Sequence, residues 1–537
     1  MIRINELRLP IEHTPEQLEH ALLQRLQLSS KDIIRFEIFK RSYDARKNFA
    51  LSFIYTIDLS VLDEDLILKK FAADPHVRPS PNTQYQFVAK APEILKHRPI
   101  IIGFGPCGIF AALILAQMGF KPIVLERGKK VRERTQDTWG LWRKKILNPE
   151  SNVQFGEGGA GTFSDGKLYS QIKDPKFYGR KVLSEFVKAG GPEEIMYVSK
   201  PHIGTFRLVG MVEKMREEII SLGGEVRFEQ KVVGFNIQNK AICGVTLENG
   251  QTIDADHVVL ALGHSARDTF KSLYEAGVYM EAKPFSVGFR IEHPQSLIDK
   301  ARLGPHAGNP LIGAADYKLV HHAKNGRAVY SFCMCPGGTV VAATSEPNRV
   351  VTNGMSQYSR NERNANAGIV VGITPEDYPG GPLAGIEFQR AIESRAFELG
   401  GENYEAPGQL VGDFLAQRPS TEFGSVIPSY KPGVHLTDLA SSLPSYAIEA
   451  IREAIPAFEK KIKGFSMADA VLTGVETRTS SPIRITRGTN FQSLNIKGLY
   501  PAGEGAGYAG GILSAGVDGI RIAEALALDL ISNSSAQ

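Results

Sequence analysis

The sequence predicts an α/β protein: a Rossmann-like domain with a β-meander, interrupted by an inserted α+β cap domain and preceded by a ferredoxin-like α+β module. Three observations carry this. A strand, glycine turn, helix and second strand run from Ile100 to Arg127. Between Glu225 and Leu262 the pattern becomes a succession of short β runs. From Leu499 a strand leads through two glycine groups into a helix spanning Leu513 to Ile531.

Residues 1–95 read as the N-terminal module. Ile2 to Leu9 alternates as a strand, and Pro15 to Leu28 carries helical apolar spacing. Strand-like runs follow at Ile33 to Lys40 and Phe49 to Leu59, then a helical piece around Leu62 to Phe71 and a last strand at Gln84 to Ala89. The order βαββαβ is that of a ferredoxin-like unit. Asp74 to Asn82 contains Pro75, Pro79 and Pro81 and reads as a loop; Pro92 to Pro99 reads as an interdomain linker. The central hairpin places Lys40, Arg41, Arg46 and Lys47 around Tyr43. A solvated tip explains this, and binding of RNA or an acidic partner is the alternative.

Residues 96–275 open with Ile100-Ile101-Ile102-Gly103-Phe104-Gly105-Pro106-Cys107-Gly108, a helix former from Ile109 to Met118, and Val124-Leu125-Glu126-Arg127. The glycines have separate tasks in a dinucleotide-binding unit. Gly103 allows the tight turn, Gly105 lets backbone N–H groups approach a pyrophosphate, and Gly108 lets helix and strand pack closely. The phosphates would sit at a helix N-terminus, where free N–H groups and the dipole favour negative charge. Glu126, about twenty residues on, can accept hydrogen bonds from ribose hydroxyls, and its charge disfavours a ribose phosphate. A second cluster follows, Gln154 to Lys167, with Gly158, Gly159 and Gly161 flanked by Phe155 and Phe163. So many glycines suit a backbone passing close against a ligand, and Thr162, Ser164 and Lys167 offer donors to it.

The β runs Glu225 to Phe228, Val232 to Ile237, Ala241 to Leu247, Thr252 to Asp254 and His257 to Leu262 predict a meander that crosses back to the parallel sheet. Leu262-Gly263 ends the last of them at the carboxyl edge, where the chain can pass against a cofactor. Residues 276–480 are the inserted cap. There Val287 to Ile291 and Ala328 to Thr344 read as β, with Pro336-Gly337-Gly338 as the turn. Residues 481–537 return to the sheet, with Gly503, Glu504, Gly510, Gly511 and Ile512 ahead of the last helix.

The chain has 537 residues, 42% of them hydrophobic, and a net charge of +4 from 62 basic and 58 acidic side chains. That near balance points to no membrane or nucleic-acid partner by itself. No apolar run reaches spanning length, the start Met1-Ile2-Arg3 has no signal-peptide core, and four cysteines do not suggest a disulfide framework, so the expected address is the cytoplasm. No metal spacing stands out: His321 and His322 are adjacent and poorly placed to meet on one ion. No GxSxG elbow occurs.

Together these segments resemble the flavoprotein superfamily built on a glutathione-reductase-type FAD domain. Finer features are similar to one branch, the uncharacterised FAD-dependent or NAD(FAD)-utilising dehydrogenases with an extra N-terminal module. These are the Gly156 to Leu168 cluster, Lys200-Pro201-His202-Ile203-Gly204-Thr205, Cys333-Met334-Cys335-Pro336-Gly337-Gly338, Asn364-Ala365-Asn366-Ala367-Gly368 and Val475 to Pro482. The resemblance implies FAD, with Gly103, Gly105, Pro106, Cys107 and Gly108 facing its pyrophosphate and Glu126 its adenosine ribose. It further implies Val232 or Val233 against adenine, Glu504 on the ribityl hydroxyls, and Gly510, Gly511 and Ile512 at the flavin's pyrimidine carbonyl. Phe206 departs from the branch, which carries an acid there.

A flavin makes an oxidoreductase acting on a small molecule the first reading. The alternatives are a flavoenzyme of RNA modification, fed by the N-terminal module, and a non-catalytic FAD-binding partner protein. No second complete dinucleotide domain, with its own GxGxxG following a strand, is found between Gly128 and Tyr500, so either NADH or NADPH binds transiently in the cap region, or the reductant is the substrate itself, or another redox protein reduces the flavin. Cys335, His202 and Arg478 are the catalytic candidates, with His264, Arg290 and Arg418 behind them. Cys333 and Cys335, two apart on a strand, are expected on one face, either as a redox pair or as small buried residues.

Overall fold

The computed structural model describes residues 1–44 and 51–534. The N-terminal module comprises β1 (Ile2–Pro10), α1 (Pro15–Leu26), β2 (Ile33–Asp44), β3 (Ser52–Val61), α2 (Glu64–Lys70) and β4 (Val77–Pro79). Thr14 and Gln17 close a reciprocal capping box at the start of α1, whose buried stripe is Leu18, Leu22 and Leu26. The strands form one antiparallel sheet in the order β2-β3-β1-β4.

Two expectations for this module change. Its last strand is β4, inside the segment read as loop, where Val77 pairs with Ile4. Three paired residues ending at a proline are too few for periodicity to reveal. Gln84 to Ala89 instead forms no strand: Tyr85 and Ala89 pack on the core of the next domain, and Tyr85 Oη donates to Glu524. Its alternation comes from one face lying against a neighbour. The hairpin residues also divide. Arg41 is pinned, its N–H donating to Tyr197 O at 2.7 Å and its O accepting from Ser199 N–H at 2.9 Å, with its guanidinium over the rings of Phe53 and Tyr197. Lys40 stays exposed, and Arg46 and Lys47 lie outside the described residues.

The central domain follows with β5 (Ile100–Ile102), α3 (Pro106–Gln117), β6 (Ile123–Leu125), α4 (Val131–Lys144), α5 (Tyr178–Lys188), α6 (Thr205–Ser221) and β7 (Glu225–Arg227). Then come β8 (Val232–Gln238), β9 (Ala241–Leu247), β10 (Thr252–Asp254), β11 (Val258–Leu260) and α7 (Arg267–Glu275). β8, β9 and β10 form the antiparallel meander.

The chain leaves this domain through β12 (Glu281–Ala282) into β13 (Phe285–Pro294), α8 (Gln295–Leu303), β14 (Val320–His322), β15 (Ala328–Ala342), β16 (Thr352–Ser356) and β17 (Asn364–Ile373). It continues with α9 (Ala384–Leu399), β18 (Ala406–Leu410), α10 (Val411–Leu415), β19 (Val434–Leu436), α11 (Ser445–Glu459) and β20 (Val471–Glu476). It returns by β21 (Ile483–Arg484), which pairs with β12, and ends with β22 (Leu499–Pro501) and α12 (Ile512–Ser534).

The central sheet is parallel, in the order β22-β11-β5-β6-β7. Its middle strands are buried on both faces, which is why they read as continuous apolar runs. α3 is buried from Cys107 to Ala116, so it is apolar all round rather than amphipathic. Gly103 has φ +100, and a Cβ there would lie 2.1 Å from Ala261 O.

The cap is an eight-stranded sheet in the order β14-β15-β17-β13-β20-β18-β19, with β16 added on β15. Pro336-Gly337-Gly338 is not the expected turn. β15 runs through it as one long strand with two register shifts, between Phe332 and Cys335 and between Cys335 and Gly338, passing from β17 to β16. Among the described residues no helix is long and apolar enough to cross a membrane.

Candidate functional site

A cavity of about 360 Å³ lies at the carboxyl edge of the parallel sheet, between it and the cap. At one end is the N-terminus of α3. Its cap residue is Gly105, with no side-chain cap, and Pro106 follows, so first-turn N–H groups are left for something outside the helix. Glu126 is held beside it by three backbone N–H groups, from Phe104 at 2.8 Å, Gly128 at 2.8 Å and Gly156 at 3.0 Å. These fix the carboxylate's orientation and leave it acceptor capacity toward the cavity.

The second glycine cluster forms the opposite wall, where Gly159 lies so close to Gly105 that a Cβ on it would meet Gly105 Cα at 2.8 Å. Arg134, fully buried in α4, holds the loop in place by donating to the carbonyls of Asn152, Val153 and Glu157 at 2.8, 2.7 and 2.6 Å. Burial pushes its pKa down to about 10. Gly263, Gly510 and Gly511 would each carry a Cβ into open space, so the chain there leaves room for a ligand against its backbone. An uncapped helix start, an oriented carboxylate and this glycine cradle fit a dinucleotide lying across the edge.

Ionisable side chains crowd the far end. Lys167 pairs with Asp165 at 3.1 Å and donates to Met334 O. Asp165 also takes a bidentate pair from Arg360 at 3.1 and 2.6 Å. Burial alone would raise the Asp165 carboxyl, but Lys167 and Arg360 outweigh it and hold it down to about 2. On the other side Arg478 and Arg267 share the buried Glu393, and Arg478 also reaches Ser265 Oγ and Ser345 Oγ at 3.0 and 2.7 Å. His264 borders the cavity next to Ser265, its pKa lowered to about 3 by burial and by Arg478 and Arg267, so its ring is neutral near neutral pH. Burial pushes Glu504 up to about 7, with Lys283 pulling the other way.

Residues 284–479 match a family model described as "FAD-dependent protein, C-terminal domain-like", and residues 1–60 match a domain of unknown function. The chain is 49% identical over 525 residues to an uncharacterized protein of Clostridium beijerinckii, covering 97% of this chain and 98% of the relative. It belongs to the same family. Solved structures with some likeness include the glycine oxidase of Bacillus cereus, at 13% identity and TM-score 0.31 over 82% of this chain and 96% of that one. Another is the L-proline dehydrogenase from P. horikoshii, at 13% identity and TM-score 0.33 over 82% and 94%.

Within the cavity wall the structure gathers Gly103, Gly105, Pro106, Cys107, Glu126, Arg127, Gly159, Gly161, Ser164, Lys167, Val232, Leu262, Gly263, Arg478, Glu504, Gly510, Gly511 and Ile512. Arg127 is committed to Glu150 and Asp268 and stacks on Phe155. Seven residues expected there do not line the cavity. Gly108 and Gly158 face packed atoms, Gly103 O and Thr162 Oγ1. Thr162 turns its hydroxyl to Glu157 O and Arg134. Val233 is the outward partner of Val232 and 40% exposed. Gly503 packs on Cys107 and donates to Asp518.

Two of the seven were catalytic candidates. His202 faces Tyr358 instead, bonding its carbonyl at 2.9 Å and stacking on its ring. Cys335 is fully buried, because the bulge with Cys333 at φ +42 breaks the strand alternation and turns Cys333, not Cys335, to the cavity. Arg418 pairs with Asp413 at the surface, and Arg290 lies buried behind the wall on Glu476.

Sequence reasoning passed over Asp165, although it stands inside the quoted glycine cluster. It also passed over Glu393 and Arg267, which look like ordinary surface charges of amphipathic helices.

Proposed function

We propose that this chain is an FAD-dependent oxidoreductase acting on a small molecule, with the FAD held in a glutathione-reductase-type manner. The observation that carries it is the single cavity that joins the α3 N-terminus, the oriented Glu126, Val232 of the meander, Glu504 and the Gly510-Gly511-Ile512 cradle. The match of residues 284–479 to an FAD-dependent family model agrees with it. When bound, the flavin would supply hydride or electron transfer.

The chain's own residues do the rest. The α3 N–H groups receive pyrophosphate, Glu126 takes the ribose hydroxyls, and Glu504, poised near neutrality, bonds a polyol hydroxyl as donor or acceptor. The cap domain, residues 276–480 in this reading, closes the far end, its Phe332 together with Tyr169 of the central domain excluding water, while Arg478 favours an anionic group on the substrate. NADH or NADPH would reach this end as a transient donor.

Purified protein is expected to be yellow, to release FAD on denaturation, and to bleach anaerobically with a reduced nicotinamide or with its substrate. A colourless protein that takes up no added FAD would overturn the proposal.

A further inference from the structure

At the far end of the cavity the charges do not cancel. Three cations with 20% or less of their side chains exposed surround it, Lys167 in the wall and Arg360 and Arg290 packed behind, and two carboxylates, Asp165 in the wall and Glu476 behind, answer them. Neighbouring charges are already spoken for: Asp316 pairs with Lys200 at 2.8 Å, and Glu504 is opposed by Lys283. One positive charge is left over. Two acidic groups without a cation of their own border the cavity there, the Tyr169 phenol, which burial pushes up, and the Cys333 thiol, and the thiol is the one able to supply the missing negative charge.

The backbone presents that thiol. Cys333 sits at φ +42 in the β15 bulge, its carbonyl accepting from Arg290 Nη1 at 2.7 Å and from Cys335 Sγ at 3.4 Å. Opposite Cys335, Asn366 accepts from the same Arg290 nitrogen at 3.2 Å, while its own buried Nδ2 has no hydrogen-bond partner among the described residues. The neighbouring Cys335 thiol holds the Cys333 thiol below its ordinary range; burial opposes this, and Lys167 and Arg290 reinforce it. Asp165 acts against it, and Cys335 is pushed the other way, retaining its proton.

We propose that Cys333 stands in the folded protein as a thiolate and is the cavity's nucleophile, taking small molecules with a soft electrophilic carbon such as the β-carbon of an enone. Its action beside a flavin rests on the function proposed above; the thiolate itself does not. In the capture step a bond forms between sulfur and the β-carbon, the C=C electron pair moves toward the carbonyl oxygen, and the α-carbon takes a proton from solvent. Nothing leaves, so the adduct is heavier by one whole reagent molecule.

N-ethylmaleimide tests this on the full-length protein, before and after flavin removal, with labelled peptides identified by mass. The exposed Cys243 is the reference thiol within the same chain. At pH 6 Cys333 is expected to label about tenfold faster than Cys243 and to change little in rate up to pH 8. Lys167→Met should slow it about tenfold at pH 6, and Lys167→Arg should preserve it. If Lys167→Met does not fold, the wild-type pH profile decides alone.

A Cys333 rate that climbs with pH in step with Cys243, or labelling of Cys243 first at pH 6 in both forms, overturns the proposal. Fast labelling in a protein that takes up no FAD would uphold the thiolate and remove the flavin reading. FAD binding with slow labelling in both forms would do the reverse.

Discussion

Glu504 shows how one side chain can carry a pH dependence of the whole protein. Burial raises its carboxyl to about 7, so the native state holds a proton that the unfolded chain releases near the ordinary carboxylate value. With more protons on the native side, stability is full in mild acid and falls as pH rises from about 4.5 through 7, levelling above that. The loss is bounded at about 3 kcal/mol and is smaller for a half-buried group. Denaturant midpoints across pH 5 to 8 are expected to decline for the wild type and to flatten in Glu504→Gln. Superimposable curves for the two proteins would refute the assignment.

Elements differed in how far the sequence revealed them. β5, α3 and β6 were legible because burial on both faces makes an unbroken apolar run, and glycine was needed where backbone meets backbone. Gly103→Ala tests that need: with φ +100 and 2.1 Å to Ala261 O it is expected to cost about 3 kcal/mol or more in equilibrium unfolding. An alanine variant of wild-type stability would show that the turn relaxes freely. The cavity wall from α3 through Gly159 to Gly511 was legible for the same reason. β4 was not, being three residues long, nor was the bulge in β15, because Pro336-Gly337 has the composition of a turn whether the strand ends or only bends. That bend decided which cysteine meets the cavity. Ion clusters were the least legible, since Glu393 in α9 reads as one more helix-surface acid until the fold puts two arginines on it.

At the scale of the whole molecule Glu393 is a fastener. Arg267 comes from the start of α7 in the central domain, Glu393 from the cap, and Arg478 from the stretch just after β20. Removing the carboxylate leaves two guanidinium groups buried against each other, so Glu393→Gln is expected to destabilise by about 3 kcal/mol or more. Chemical denaturation read by intrinsic fluorescence checks it, and a loss under 1 kcal/mol would mean that Glu346 carries the charge alone.

The placement of β22 has a consequence for the order of synthesis. It joins the sheet beside β11, and the segment after it brings Glu504, Gly510, Gly511 and Ile512 to the cavity. A nascent chain that has already built the helix start and the Glu126 carboxylate still has an open edge on β11 and half a binding wall. The cavity wall is therefore complete only once β22 and the segment after it have docked, so the edge strand of the sheet and the far half of the wall arrive together.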